Sequence, residues 1–244
     1  MRIDAKGMHY KELNELIHQA VDSGKKNIIL DNVNGQRYIG GGLSGDIRIT
    51  VNGVPGNDLA AFMDGPTIVV NSNGQDGVGN TMNAGKIIVH GDAGDIIGHS
   101  IRGGKIYTKG NAGYRVGIHM KSYKDLYPVI IIGGTVRDFL GEYMAGGLII
   151  VLGLRKSPDE AIVGNFCGTG MHGGIMYIRG NIEDYQLGNE VKKNRLDKED
   201  SKILRTYLKE YCAYFSLHLE DILSSDFVKL RPSSHRPYGR LYAY

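Results

Sequence analysis

The sequence predicts an all-β protein built as a right-handed parallel β-helix, a single-stranded solenoid of about seven coils, with short α-helical caps at the N- and C-termini. Three observations predict this fold. Glycine accounts for 36 of the 244 residues, about twice its usual share. Residues 40–180 contain a 19-residue repeat. No stretch of that repeat has the helical periodicity that the crossover of a βαβ sheet requires.

The N-terminal segment, residues 1–39, is predicted to contain one helix over residues 8–22 and to cap the solenoid. Tyr10, Leu13, Leu16, Ile17 and Ala20 fall on one face of that helix. Ser23-Gly24 follows, and glycine just after the last periodic residue is a typical helix end.

The repeat occupies residues 40–180, the predicted β-helix domain. Its strands Ile68-Val69-Val70, Ile87-Ile88-Val89 and Ile106-Tyr107-Thr108 are 19 residues apart, and later periods are longer by five and eight residues. Each strand should pair with its equivalent one coil later, so that like residues stack into interior columns. The same register aligns Gly79, Gly98 and Gly117, and likewise Met82, Ile101 and Met120.

A polar column, Asn73, Asp92 and Asn111, also follows the 19-residue register. Short polar side chains tolerate left-handed backbone at a corner. We therefore expect these residues to lie at a corner and to hydrogen-bond to one another along the stack.

The C-terminal segment, residues 181–244, loses the glycines and is predicted to be helical. An amphipathic helix is expected to be capped near Asp200 or Ser201, with a shorter helix between residues 216 and 223. Both would cover an end coil. The tail from Arg231 is expected to be irregular and able to lie over a partner.

Composition excludes several classes of protein. Cys167 and Cys212 are too few for a disulfide framework or a four-thiolate metal site, which favours a reducing, cytoplasmic setting. There is no apolar run long enough for a membrane span. The net charge of +3 is scattered along the chain, so a nucleic-acid partner is not expected. We expect no cofactor and no metal.

Two motifs bear on nucleotide binding and on catalysis. Residues 168–173 read G-x-G-x-x-G, but a dinucleotide site needs a helix after this motif and a strand is predicted here. Asp76 and Asp95 share a register as a polysaccharide-cleaving β-helix would require, yet the next position is Tyr114. Two carboxylates make a poor calcium site.

The densest polar cluster is predicted to be a partner interface, because tyrosine and arginine are typical interface anchors. An alternative of equal weight is a local ion-pair set of Arg115, Asp138 and Glu142. The candidate interface residues are Tyr114, Arg115, His119, Lys121, Arg137, Asp138, Glu142 and Tyr143.

Longer blocks of the chain resemble a known family. These are GNTMNAGKIIVHGDAGDIIGHSIRGGKIYTKGNAGYRVGIHMK, GGTVRDFLGEYMAGGLIIVLGL and GGIMYIRG. They are similar to the C-terminal G-x-G-x-G domain of the glutamate synthase large subunit, and more closely to its stand-alone form in split glutamate synthases. A more distant resemblance is to the subunit of formylmethanofuran dehydrogenase that has the same repeat.

The resemblance implies a β-helix that is not itself the catalyst. In the family, an amidotransferase domain releases ammonia from glutamine with an N-terminal cysteine, and a barrel carries FMN and an iron–sulfur cluster. Position 2 here is Arg2. The implied function is a scaffold subunit in glutamate biosynthesis that docks amidotransferase and FMN/iron–sulfur subunits; self-association into a homo-oligomer stays open. The alternatives are a carbohydrate-active β-helix enzyme and a scaffold of a formylmethanofuran dehydrogenase-like enzyme.

Overall fold

The structure is a computed structural model that describes residues 1–234. Of the tail predicted to be irregular, Arg231 and Pro232 instead end a strand, and the part beyond Ser234 lies outside the described residues. The elements in chain order are β1 (Arg2–Asp4), α1 (Tyr10–Asp22), β2 (Asn27–Asn34), β3 (Arg48–Val54), β4 (Asp64–Val70), β5 (Ala84–Val89), β6 (Lys105–Thr108), β7 (Val129–Ile132), β8 (Ala145–Val151), β9 (Gly173–Arg179), a 3-10 turn (Asp184–Gln186), β10 (Val191–Asn194), α2 (Lys198–Phe215), α3 (Leu219–Leu223) and β11 (Phe227–Pro232).

Strands β1 to β9 form one parallel ladder in chain order. Ile68 pairs with Ile87 and Ile87 with Ile106, which is the register the repeat predicts. The parallel β-solenoid is therefore confirmed. Strands β3 to β9 are joined by six turns within residues 40–180, one fewer than the seven coils predicted. The ladder also reaches back to β1 and β2, so the N-terminal segment adds strands as well as a helix.

The interior of the solenoid consists of stacked aliphatic columns, as predicted. The central strand column and the methionine column are both fully buried. Burying one such side chain contributes about 1.5–3 kcal/mol. The central strand column is Ile49, Ile68, Ile87, Ile106, Ile130, Ile149 and Met176.

The side chains of the polar column, Asn73, Asp92 and Asn111, do not make the hydrogen bonds that we predicted. Asn73 Oδ1 accepts from the backbone N–H of Asp92 at 2.9 Å, Asp92 Oδ1 from that of Asn111 at 2.7 Å, and Asn111 Oδ1 from that of Thr135 at 2.9 Å. The side chains thus bond to the backbone of the next coil and not to one another, and none of the three has the left-handed backbone that we expected there. Glycine before Asp92 is required because a Cβ on Gly91 would lie 2.0 Å from Asn73 Oδ1.

The two ends of the solenoid are closed differently. Helix α1 buries Leu13, Ile17 and Ala20 in the interior core and ends at Ser23, as predicted. At the other end, β11 runs antiparallel to β9, and β10 runs antiparallel to β11.

Helix α2 lies on the outer face of the sheet. Its buried residues Leu204, Leu208 and Phe215 pack in one cluster with outward-facing strand residues from Val69 in β4 to Tyr177 in β9. The helix is confirmed, but this face of the sheet, and not an end coil, is what it covers. Asp197 is its N-cap. The predicted cap, Asp200, instead accepts the Asp197 N–H, which completes a capping box.

Carboxylates at two places hold α2 on the sheet, and Tyr211 Oη also donates to Thr108 O at 3.1 Å. Glu210 accepts from Lys86 Nζ and Lys105 Nζ, both at 2.5 Å, and from Tyr107 Oη at 3.0 Å. Burial alone would raise the pKa of Glu210, but these three donors outweigh it and lower the pKa to about 2.

The second carboxylate is buried. Asp200 accepts from Tyr177 Oη at 2.5 Å and from Lys229 Nζ at 2.7 Å. Strand β11 is thereby joined to both α2 and β9.

Candidate partner interface

Each of the seven turns that join β2 to β9 has a corner at which three residues, spaced two apart, have left-handed backbone. The triplets are 38/40/42, 58/60/62, 77/79/81, 96/98/100, 115/117/119, 139/141/143 and 166/168/170. We call this line of seven corners the left-handed edge.

The middle position of each triplet faces the interior and is glycine in every turn except at Ala60. A Cβ on Gly117 would lie 2.5 Å from Ile149 Cδ1. Glycine is therefore needed for close packing as well as for its positive φ. The G-x-G-x-x-G motif is part of this pattern, because Gly168 and Gly170 are corner residues and strand β9 follows them.

Most outer positions of the triplets face solvent, although Gly77 and Gly170 are buried, and several carry large side chains. Tyr38 is 43% exposed, Phe62 60%, Tyr143 37% and Phe166 52%. Left-handed backbone costs an L-residue other than glycine about 1–2 kcal/mol. Strained residues of this kind concentrate at functional sites, so the left-handed edge is the candidate functional surface.

Four of the predicted interface residues meet on the C-terminal half of this edge. Arg115 Nε lies 3.3 Å from Glu142 Oε2. The rings of His119 and Tyr143 stack with centroids 5.2 Å apart and planes at 8°.

Two phenylalanines complete the group. The Arg115 guanidinium lies 4.7 Å from the ring centroid of Phe139, and Phe139 stacks on Phe166 with centroids 5.0 Å apart. We call these side chains the aromatic–arginine cluster: Arg115, His119, Phe139, Glu142, Tyr143 and Phe166.

The other predicted residues lie beside the cluster. Tyr114, Arg137 and Asp138 line a cavity of about 330 Å³ together with Glu160. Hydrogen bonds from the Ser157 N–H and the Thr135 hydroxyl lower the pKa of Glu160.

Lys121 is exposed and lies just after the buried Met120. Of the alternative ion-pair set, Arg115 and Glu142 do pair. Asp138 does not join them, and its carboxylate accepts the Asn165 N–H at 2.8 Å. The interface role of the eight residues remains a prediction.

Phe139 and Phe166 were not among the predicted residues. Each lies five positions before a buried methionine, Met144 or Met171, as Arg115 does before Met120. Extending the methionine register by five positions would have identified both.

The two stacked carboxylates of the carbohydrate hypothesis bond to backbone. Asp76 Oδ1 accepts the Asp95 N–H at 2.9 Å, and Asp95 Oδ1 accepts the Tyr114 N–H at 2.8 Å. These two hydrogen bonds join adjacent coils.

The residues that the structure describes contain no group of three or more His, Cys, Asp or Glu side chains arranged to hold a metal ion. His99 and His119 are adjacent on the left-handed edge, with ring centroids 6.1 Å apart. Burial lowers the pKa of His99, and the electrostatic effect of the neighbouring His119 lowers it further.

Within residues 1–234 we find no helix with the length and apolar character of a membrane span.

Comparisons with known proteins show what the chain is similar to. The sequence model of a family described as "GXGXG motif" matches residues 12–233. The uncharacterized protein MJ1350 of Methanocaldococcus jannaschii is 52% identical over an alignment that covers 98% of this chain and 95% of that protein.

Proposed function

The chain belongs to the GXGXG motif family, and from this membership we propose that it is a non-catalytic scaffold subunit of a glutamate synthase-type complex. The family suggests a role related to glutamate synthase. The filled interior supports a scaffold, because the central columns from Ile49 to Met176 are fully buried side chains that leave no space for a reaction centre.

The observation that carries the proposal is the aromatic–arginine cluster. Its outer residues are held in left-handed backbone although glycine would be less strained there. Aromatic and arginine side chains supply much of the binding energy of protein interfaces. We propose that this cluster docks the amidotransferase and FMN/iron–sulfur subunits. The two buried free cysteines fit a reducing compartment, and we place the complex in the cytoplasm.

The test is co-expression with the amidotransferase and FMN/iron–sulfur chains of the same genome. We expect a complex on size-exclusion chromatography with light scattering, and glutamine-dependent glutamate formation that requires all chains. Failure of the chain to join such a complex would refute the proposal.

Phe166→Asn tests the docking surface. Asparagine tolerates left-handed backbone, so the melting temperature should change little while association weakens at least about tenfold. Tyr127→Asn is the control, because Tyr127 is 44% exposed and interacts with Tyr207 of α2, on the outer face of the sheet. Equal association of both variants would remove the cluster from the interface.

A further inference from the structure

Strand β10 is the last strand of the sheet, and within residues 1–234 it pairs only with β11. The Ser233 N–H bonds to Glu190 O at 2.6 Å, while Lys192 lies opposite Arg231. Hydrogen-bonded pairs alternate along an antiparallel ladder, so Lys192 and Asn194 direct their backbone groups at β11. The N–H and C=O of Lys193 therefore point to the open side.

The charges on this edge are unusual. Lys192 and Arg231 are both exposed and directly opposite each other, and like charges in that arrangement destabilise a sheet. Arg195 follows at the end of the strand. Lys193 Nζ bonds to Asp184 Oδ1 at 2.7 Å. No salt bridge in the described part of the chain involves Lys192, Arg195 or Arg231.

A cavity of about 670 Å³ opens at the end of β10, where Lys193, Asn194 and Arg195 form part of its wall. Its apolar lining includes Leu196, Leu204, Leu223 and Phe227. The cavity can take an apolar side chain from a segment that runs along the strand.

We propose that β10 binds an extended acidic segment of a partner protein by strand addition. Backbone groups on the open side provide the pairing, as in other sheet-edge complexes. Glutamate or aspartate side chains of the partner neutralise Lys192, Arg195 and Arg231, and an apolar side chain enters the cavity. Edge lysines commonly prevent strand pairing. Here they exclude neutral strands and a second copy of this basic strand while admitting an acidic one.

The proposal concerns a surface different from the left-handed edge and does not depend on which complex the chain joins. The probe is an acetylated and amidated peptide of sequence Glu-Val-Glu-Val-Glu-Leu, titrated into the full chain by calorimetry and by NMR. We expect binding that weakens steeply between about 50 and 300 mM NaCl, with amide shifts confined to β10 and the cavity.

Lys192→Glu should weaken binding at least about tenfold. The substitution replaces a like-charge pair with an opposite-charge pair facing Arg231, so the melting temperature should be unchanged or higher. Lys11→Glu, an equal charge change on exposed α1, should leave binding unchanged.

Three results would overturn the proposal. One is the absence of peptide binding at millimolar concentration. Another is equal binding of a peptide with lysine in place of glutamate. The third is tighter binding of a uridine oligonucleotide of the same charge, which would make the surface a general anion site for RNA.

Discussion

Replacing Gly117 by alanine tests whether the glycine column of the left-handed edge sets the spacing of the solenoid. Gly117 has φ of 72°, and an added Cβ would lie 2.5 Å from Ile149 Cδ1. The left-handed backbone costs about 1–2 kcal/mol, and forcing a methyl group into a packed core costs about 1–3 kcal/mol. The lower entropy of the unfolded chain offsets about 0.4–1 kcal/mol. The expected loss of stability is about 3 kcal/mol.

Gly42 provides the matched control. Its φ is 66°, but a Cβ would have no atom within 4 Å. Gly42→Ala should therefore cost only about 1 kcal/mol, from the backbone alone. Urea unfolding followed by far-ultraviolet circular dichroism measures both variants, and equal m values show that the same transition is compared. If the two losses differ by less than about 0.5 kcal/mol, contact with Ile149 does not dictate glycine at position 117.

Three further predictions concern buried polar groups, and the same urea assay applies to each. Thr108 Oγ1 is buried without a hydrogen-bond partner in the described structure, so Thr108→Val should stabilise the protein by about 1 kcal/mol; a loss of stability would mean that a partner exists. Lys229→Met leaves Asp200 charged and only 2% exposed, which should cost about 3–5 kcal/mol; a loss below about 1 kcal/mol, the range of exposed pairs, would contradict this. Because the pKa of Glu210 falls from 4.5 unfolded to about 2 folded, its contribution is full above pH 4.5 and lost as pH falls towards 2. The stability gap between the protein and Glu210→Gln should therefore narrow over that range, and a constant gap would refute the assignment.

The strands of the solenoid were predictable because each coil of the fold corresponds to one copy of the sequence repeat. Ile68, Ile87 and Ile106 are equivalent in sequence and stack in space. Strand β1 has no such signal, because it is only three residues long. Strands β10 and β11 are short and charged, and they form only by antiparallel pairing across the end coil.

The position of α2 on the outer face of the sheet was also predictable from the sequence of one strand. Strand β7, Val129–Ile132, is buried at every residue, and apolar residues on both faces of a strand indicate that both faces are covered. The interior covers one face, so a further element had to cover the other.

The candidate interface was predictable from composition but not from geometry. Arg115, His119 and Tyr143 were identified because they are bulky residues within a pattern of small ones. Their common backbone conformation was not predictable, because L-residues other than glycine rarely adopt it. Only the structure shows that these positions form one exposed line with Phe139 and Phe166.

Helix α2 also has a length that matches what it spans. Its 18 residues extend about 27 Å, and the five strand spacings from β4 to β9 extend about 24 Å. Its N-terminal Asp200 bonds to β9, and its Glu210 bonds to β5 and β6. The length of the helix is therefore matched to the number of coils that it covers. A coil inserted within this span would require about three more helical residues to keep both contacts, whereas a coil inserted ahead of β4 would leave both contacts in place.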